Sequence, residues 1–192
     1  MLNILLAGVG GQGTVLAAKI LAQAALEKGW HVRTAETIGM AQRGGSVVSH
    51  VRMGDHGEEV YSSLLAKGTA DLIVAFEPAE AARALPYLAP NGMLVTATTP
   101  VQPVTVALSG KSYDSAGIIA ALKEQLGDQL IAVDDARLCE VAGTHRVLNT
   151  LLLASALNTG AVPLSLDDLR EAVRACVKPQ FVDLNRAAIA LV

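Results

Sequence analysis

The chain opens on a short apolar run, LNILLAG at 2–8 with Asn3 its one polar residue, and passes almost directly into GQGTVLAAKILAQAALEKG at 11–29. An apolar run without alternation predicts a strand buried on both faces, and the Ala/Leu content and closing Gly29 of the second stretch predict a helix. HVRTAE at 31–36 predicts a second strand, so the chain begins with a βαβ unit. TIGMAQRGGS at 37–46 holds three glycines and no apolar period, which predicts an exposed loop. SVVSHVRMG at 46–54 then alternates apolar and polar positions, and EEVYSSLLA at 58–66 follows a Gly-Asp-His-Gly turn. That pattern predicts a hairpin across 46–66, a departure from a plain doubly wound sheet.

Further on, ADLIVAF at 70–76 is again a continuous buried strand, with Glu77 and Pro78 starting the next helix and GMLVTATT at 92–99 forming another strand. Pro100 and Pro103 interrupt the pattern before a short strand at VTVAL, 104–108; a helix over 115–127 and a strand in QLIAVDD, 129–135, follow. From about 136 onward the chain reads as mostly helical, punctuated by Pro163 and Pro179, with Ser165 a cap for LDDLREAVRACV. The expected fold is α/β over residues 1–192: a single-domain, Rossmann-like, mostly parallel sheet with a hairpin insertion, helices on both faces and a helical C-terminal region.

Composition agrees with this class. Apolar residues make up 52% of the 192 and aromatics only 3%, so aliphatic packing must dominate the core. With a net charge of -3, the chain has no global positive field to attract a phosphate polymer, and nucleic acid is not an expected partner. Locally, Lys28, Arg33, Arg43 and Arg52 outnumber Glu36 and Asp55, which favours an anionic ligand or is simply a solvated strand edge. The two cysteines, Cys139 and Cys176, form no CxxC and cannot build a metal or iron–sulfur centre by themselves. The start lacks the basic flank of a signal peptide and no apolar stretch is long enough to span a bilayer, so a cytoplasmic, non-membrane protein is expected.

Chemistry concentrates at GVGGQG, residues 8–13. Gly8, Gly10 and Gly13 fill GxGxxG, and Gly11 adds a further glycine. Without a Cβ, such residues permit a tight turn and let backbone amides approach a phosphate at the positive end of the following helix. Glu36, at the end of the second strand, is placed as the acid that binds a ribose hydroxyl in NAD enzymes. The alternative is packing: Gly13 allows helix and strand to approach, and Glu36 pairs with Arg33 or Arg43. The four histidines show no metal spacing, and Ser46 lacks the GxSxG context of a nucleophile. Asp134 and Asp135 are expected to end a strand and cap the next helix rather than form an acid–base pair.

The stretch ETIGMAQRGGSVVSHVR, 36–52, together with GVGGQG, resembles the gamma-type domain of 2-oxoacid:ferredoxin oxidoreductases, and most closely the small subunit of the indolepyruvate-oxidising branch. The likeness continues through VYSSLLAKGTADLIVAFEP and HRVLNTLLLASAL and covers essentially the whole chain. One departure is Ile38, where a histidine is expected before the glycine.

The resemblance implies oxidative decarboxylation of a 2-oxoacid to an acyl-CoA, with electrons passed singly to ferredoxin. It also implies a hetero-oligomer, because the chain has neither Gly-Asp-Gly with a distant Asn for magnesium–thiamine diphosphate nor a cluster-binding cysteine set. Thiamine diphosphate, Mg and [4Fe–4S] clusters are then expected on a larger partner subunit, with no cofactor bound by this chain alone and coenzyme A as co-substrate. The expected phosphate-binding residues are Gly8, Gly10, Gly11, Gln12, Gly13 and Thr14 with Arg43, Gly44, Gly45 and Ser46; Glu36, Met40, Gln42, His50 and Arg52 are expected to line the site or the subunit interface. Arg43 is either a bidentate phosphate clamp or an interface arginine. Two other readings remain open at this stage: a free-standing NAD(P)-dependent oxidoreductase, and a non-catalytic scaffold whose 37–46 loop only docks.

Overall fold

The computed structural model describes residues 1–38, 44–102 and 113–192. Among the described residues six strands, β1 (Leu2–Val9), β2 (His31–Ile38), β3 (Ser46–Gly54), β4 (Ala70–Ala75), β5 (Leu88–Ala97) and β6 (Leu130–Val133), form a sheet in the order β2-β3-β1-β4-β5-β6. β1, β4, β5 and β6 run parallel, while β3 is antiparallel to both of its neighbours, β1 and β2.

Seven α-helices lie among the described residues: α1 (Thr14–Glu27), α2 (Pro78–Ala84), α3 (Ser115–Leu126), α4 (Asp135–Val141), α5 (Leu148–Leu157), α6 (Leu166–Cys176) and α7 (Val182–Ile189). α1 packs with α5 and α6 on one face, over Ile4, Leu6, Val51, Leu72 and Val74. α2 and α3 cover Leu5, Ala7, Ile73 and Leu94 on the other. Alternate residues of β1 from Ile4 to Ala7 thus feed two separate cores, which is why that part of the strand shows no polar positions.

The α/β class, the helices on both faces and the helical C-terminal region agree with the sequence expectation; the hairpin does not sit where the pattern put it. Residues 58–66 form no strand, with Val60 and Leu65 buried and Tyr61 89% exposed. β3 pairs instead with β2, Thr34 opposite Val51 and Glu36 opposite Ser49, and with β1, Leu6 opposite Ser49. Alternation announces a strand with two different faces, and it carries no information about which strands will flank it. The VTVAL strand expected at 104–108 lies outside the described residues.

β3 carries one polar group that its core does not satisfy. Ser49 is fully buried opposite Leu6, and its hydroxyl has no hydrogen-bond partner. A buried hydroxyl without a partner opposes folding. Ser49→Ala is expected to raise stability by about 1 kcal/mol, read as a higher urea midpoint at unchanged slope; a lower midpoint would show that the hydroxyl is satisfied in solution.

Candidate functional site

The chain leaves β1 toward β2 on one side and leaves β4 toward β5 on the other, so the carboxyl ends of β1 and β4 flank the point where the winding reverses, the crevice in which open α/β sheets bind ligands. GVGGQG occupies that point. The Gln12 side chain closes it from within: its Oε1 accepts from the Val9 amide at 2.7 Å, and its Nε2 donates to the Phe76 carbonyl at 2.8 Å, just beyond β4. Gln12 is therefore a staple between β1 and β4, and its amide is already committed. The Gly10 amide is likewise used, donating to the Gly45 carbonyl at 2.9 Å and holding the start of β3 against the loop.

The glycines divide by cause. A Cβ on Gly8 would lie 2.9 Å from the Thr14 methyl and 3.0 Å from Phe76 Cβ, so Gly8 answers to packing. Gly11 and Gly13 have φ of +108° and +85°, a region side chains disfavour, and Gly13 in that conformation is the residue that caps α1. No side chain caps this helix and no acid lies in its first turn. The first intrahelical bond runs from the Ala17 amide to the Gly13 carbonyl. The amides of Thr14, Val15 and Leu16 have no hydrogen-bond partner among the described residues, leaving the positive end of a 14-residue helix open.

On the β3 side of the loop lies a cleft of about 320 Å³, lined by Val9, Gly44, Ser46, Glu77, Glu80, Arg83 and Tyr113 among others. Its floor is two carboxylates, each 2% exposed. Glu77 caps α2, accepting from the Ala79 and Glu80 amides at 2.8 and 3.1 Å, and also accepts the Tyr113 hydroxyl proton. Glu80 accepts from the Ser46 hydroxyl at 2.6 Å and pairs with Arg83. Burial, reinforced by the hydrogen bond to Glu77, pushes the Tyr113 phenol far up, so it remains a proton donor at any physiological pH. Ser46 is thus held by α2, with its hydroxyl facing a carboxylate.

On the other side of the loop, a groove of about 360 Å³ runs between the start of α1 and the turn preceding α5, with His145, Arg146 and Asn149 on its far wall. An adjoining apolar slot shares Leu16, Arg146 and Asn149 and continues to Phe181 and Leu184. The Arg146 guanidinium sits 5.8 Å from the Phe181 ring centre and makes no ion pair among the described residues.

The remaining sequence candidates fall elsewhere. Met40, Gln42 and Arg43 lie outside the described residues; Gly44, Gly45 and Ser46 border the cleft side of the loop. Glu36 is exposed on β2 and separated from β1 by β3, hence by two strand spacings, about 10 Å. A ribose-binding acid belongs beside the glycine loop, so β3 removes the geometry that the nicotinamide reading needs. His50 is buried at the level of Leu5, where its Nδ1 accepts the Leu65 amide at 3.3 Å and burial lowers its pKa. Arg52 pairs with Asn3 at the opposite end of β1 from Gly8, its Nε donating to Asn3 Oδ1 at 2.9 Å and its Nη1 to the Ser62 carbonyl at 2.9 Å.

Asp134 caps α4 as expected, and buried Asp135 accepts the Thr98 and Thr99 amides, both at 2.9 Å, tying the end of β5 to that of β6. Glu80, Tyr113, Arg146 and Asn149 went unnoticed in sequence because each becomes significant only through residues distant along the chain. The two thiols belong to different packing groups, Cys139 with Val147 and Leu151, Cys176 against the α1 layer near Lys19, and burial pushes both pKa values up. Neither has the character of a thiolate ligand.

Residues 3–192 match the family model described as pyruvate ferredoxin/flavodoxin oxidoreductase. Among curated proteins, the chain is 38% identical over 190 residues to indolepyruvate oxidoreductase subunit IorB of Pyrococcus horikoshii, covering 98% of this chain and 93% of that protein. Among solved structures, the keto/oxoacid ferredoxin oxidoreductase gamma subunit of Geobacter sulfurreducens superposes with a TM-score of 0.69 at 25% identity, covering 100% of this chain and 95% of that one. The 2-oxoglutarate:ferredoxin oxidoreductase of Magnetococcus marinus, solved with 2-oxoglutarate, coenzyme A and succinyl-CoA bound, shares the fold at 19% identity with a TM-score of 0.70, over 99% of this chain and 30% of that chain. The glycine loop at the switch point, the inserted antiparallel strand and the match along nearly the whole length lead to one conclusion: this chain belongs to the pyruvate ferredoxin/flavodoxin oxidoreductase family and is a gamma-type subunit of a 2-oxoacid:ferredoxin oxidoreductase.

Proposed function

We propose that this subunit receives the phosphates of coenzyme A and presents its thiol to an acyl intermediate held by a larger partner subunit, in an enzyme that oxidises indolepyruvate or a related aryl pyruvate and reduces ferredoxin. The observation that carries the reading is the N-terminus of α1 at the switch point, with three amides that have no partner among the described residues, no capping side chain and no acid in its first turn. The Gly45 carbonyl accepts from the Gly10 amide, and Arg43, two residues earlier in sequence, supplies the second half of the anion site in this reading. The aryl pyruvate assignment draws on relatives named indolepyruvate oxidoreductase that are 33–38% identical to this chain.

Thiamine diphosphate, Mg and iron–sulfur clusters belong on the partner in this account. The positions of Cys139 and Cys176 do not fit cluster ligation, and among the described residues no three His, Cys, Asp or Glu side chains come together as a metal site. When bound, thiamine diphosphate supplies the carbanion chemistry. This chain contributes placement: in this reading α1 and Arg43 fix the phosphates, and the Glu80–Ser46 and Gly10–Gly45 hydrogen bonds fix the residues that follow Arg43 in sequence.

Arg43→Ala in the assembled complex is expected to raise the apparent KM for coenzyme A by about tenfold, the loss of one charge-assisted bidentate contact, while decarboxylation without coenzyme A continues. An unchanged coenzyme A requirement combined with weaker assembly on size exclusion would make Arg43 an interface residue instead.

A further inference from the structure

β2 leaves a long edge of the sheet open. It keeps an unbroken eight-residue register with β3, from His31 opposite Gly54 to Ile38 opposite Val47, and has no second strand neighbour among the described residues. Every other residue of such a strand directs its amide and carbonyl away from the sheet, and these groups meet no partner among the described residues. The opposite edge, β6, is only four residues long. Edges are normally blunted by shortness, a bulge, proline or lysine, because a regular edge is a template for another strand. β2 reads HVRTAETI and has no proline, lysine or bulge. Apolar surface gathers at its start. Leu26 is 55% exposed, a cleft of about 260 Å³ lined by Leu26, Trp30, Val32, Arg33 and Val60 among others opens beside it, and Tyr61 adjoins Val60 with its side chain in solvent. Aliphatic and aromatic groups beside open backbone have the composition of an interface.

Charge decides what the edge accepts. Arg33 in the first half of β2 and Glu36 in the second are both exposed, and neither makes an ion pair among the described residues. Arg33 uses only its Nε, which donates to the Val60 carbonyl at 3.2 Å. A strand basic in its first half and acidic in its second is complementary to its own copy run antiparallel, whereas a parallel pairing in register sets like against like. We infer that β2 pairs antiparallel with β2 of a second copy of this chain, joining the two sheets edge to edge about a two-fold axis. That axis stands perpendicular to the sheet, so each residue keeps its face and opposes only residues an even number of positions away. Registers centred on Arg33 or Glu36 oppose identical charges. Those centred on Thr34 or Ala35 put Arg33 against Ala35 or Thr37 of the second copy, one position along the strand from that copy's Glu36 but on the other face, so the attraction is through space and not a contact. Because β1 and β2 are both antiparallel to β3, they run the same way, and the two copies direct their glycine loops toward opposite ends of the joined sheet. Each loop stays clear of the other and open to a larger subunit.

The test is sedimentation velocity of the full chain over a concentration series, and of the assembled complex, with hydrogen exchange of the β2 amides followed in parallel. The expected result is a reversible dimer in which alternate amides of 31–38 gain protection as concentration rises. Glu36→Lys makes both halves of the strand basic and is expected to weaken the dimer about fivefold at low salt, an effect that fades as salt is added. Combining it with Arg33→Glu restores opposite signs and returns the dissociation constant to within about twofold of the wild type. The wild-type concentration dependence decides the matter even if a variant does not fold. A chain that stays monomeric, with alternate β2 amides exchanging freely both alone and in the complex, overturns the proposal. Dimerisation that leaves the exchange of 31–38 unchanged overturns it by placing the contact elsewhere. Protection that appears only with the larger subunit bound, at one copy of this chain per particle, overturns it by giving the edge to that subunit.

Discussion

Glu77→Ala is expected to lower the unfolding free energy by about 3 kcal/mol, the sum of a lost N-cap and a buried donor left unpaired. The carboxylate is 2% exposed and accepts from three donors: the Ala79 and Glu80 amides, which open α2, and the Tyr113 hydroxyl. Removing it strands the buried Glu80 amide and takes from the Tyr113 phenol its acceptor at the floor of the cleft. At 192 residues the loss corresponds to a fall in Tm of roughly 6–12 °C. Glu77→Gln retains an acceptor oxygen, and its loss should be about 1 kcal/mol. Urea unfolding of both variants separates the contributions. A loss below about 1 kcal/mol for the alanine variant would mean that the Glu77–Tyr113 cluster does not persist in solution.

Gly8→Val should be comparably damaging, for a different reason. The new Cβ would meet Thr14 Cγ2 at 2.9 Å, Phe76 Cβ at 3.0 Å and Gln12 Oε1 at 3.1 Å, and of these only the Gln12 oxygen belongs to a flexible end. That oxygen is the acceptor for the Val9 amide, so moving it breaks the staple between β1 and β4. Overpacking and the lost hydrogen bonds together amount to about 3 kcal/mol. Gly11→Ala provides the contrast, because open space surrounds its Cβ and only the φ of +108° is unfavourable. Its cost is about 1–2 kcal/mol. If thermal melts placed Gly11→Ala below Gly8→Val, the packing role assigned to Gly8 would be wrong.

The two predictions show which parts of the molecule local sequence signals reveal. The α2 cap is written in adjacent residues, Glu77 followed by Pro78, and Ser165 with Asp168 forms the capping box that starts α6. β1 and α1 follow from an apolar run and a helical composition, and both depend on neighbours in sequence. The position of β3 does not. Its partners are chosen by burial of Val51 and Met53 under α1, while 58–66 has the composition of a hairpin arm but buries only Val60 and Leu65 and forms no strand, its backbone bonded instead to side chains such as His50 and Arg52.

The same division applies to the candidate site. GVGGQG was legible as a phosphate-sized loop because tight turns demand glycine locally. That Gln12 and the Gly10 amide are used internally was not, since their partners Phe76 and Gly45 are far along the chain. The groove wall at Arg146 and Asn149 was equally silent. The stretch HRVLNTLLLASAL contributes to the family resemblance, but nothing in it marks Arg146 and Asn149 as the wall of a groove facing Gly13. Where the site depends on two segments meeting, only the fold supplies the information.

The central claim is that this chain works as the coenzyme A-binding subunit of a thiamine-dependent, ferredoxin-reducing complex. Anaerobic affinity purification of the protein from its native cells, followed by visible absorption and thiamine diphosphate assay of whatever co-elutes, tests it most directly. The account predicts a brown, thiamine-containing complex with a larger chain, which reduces ferredoxin with an aryl pyruvate and forms acyl-CoA only when coenzyme A is supplied. A colourless chain that elutes alone under repeated gentle conditions would contradict it.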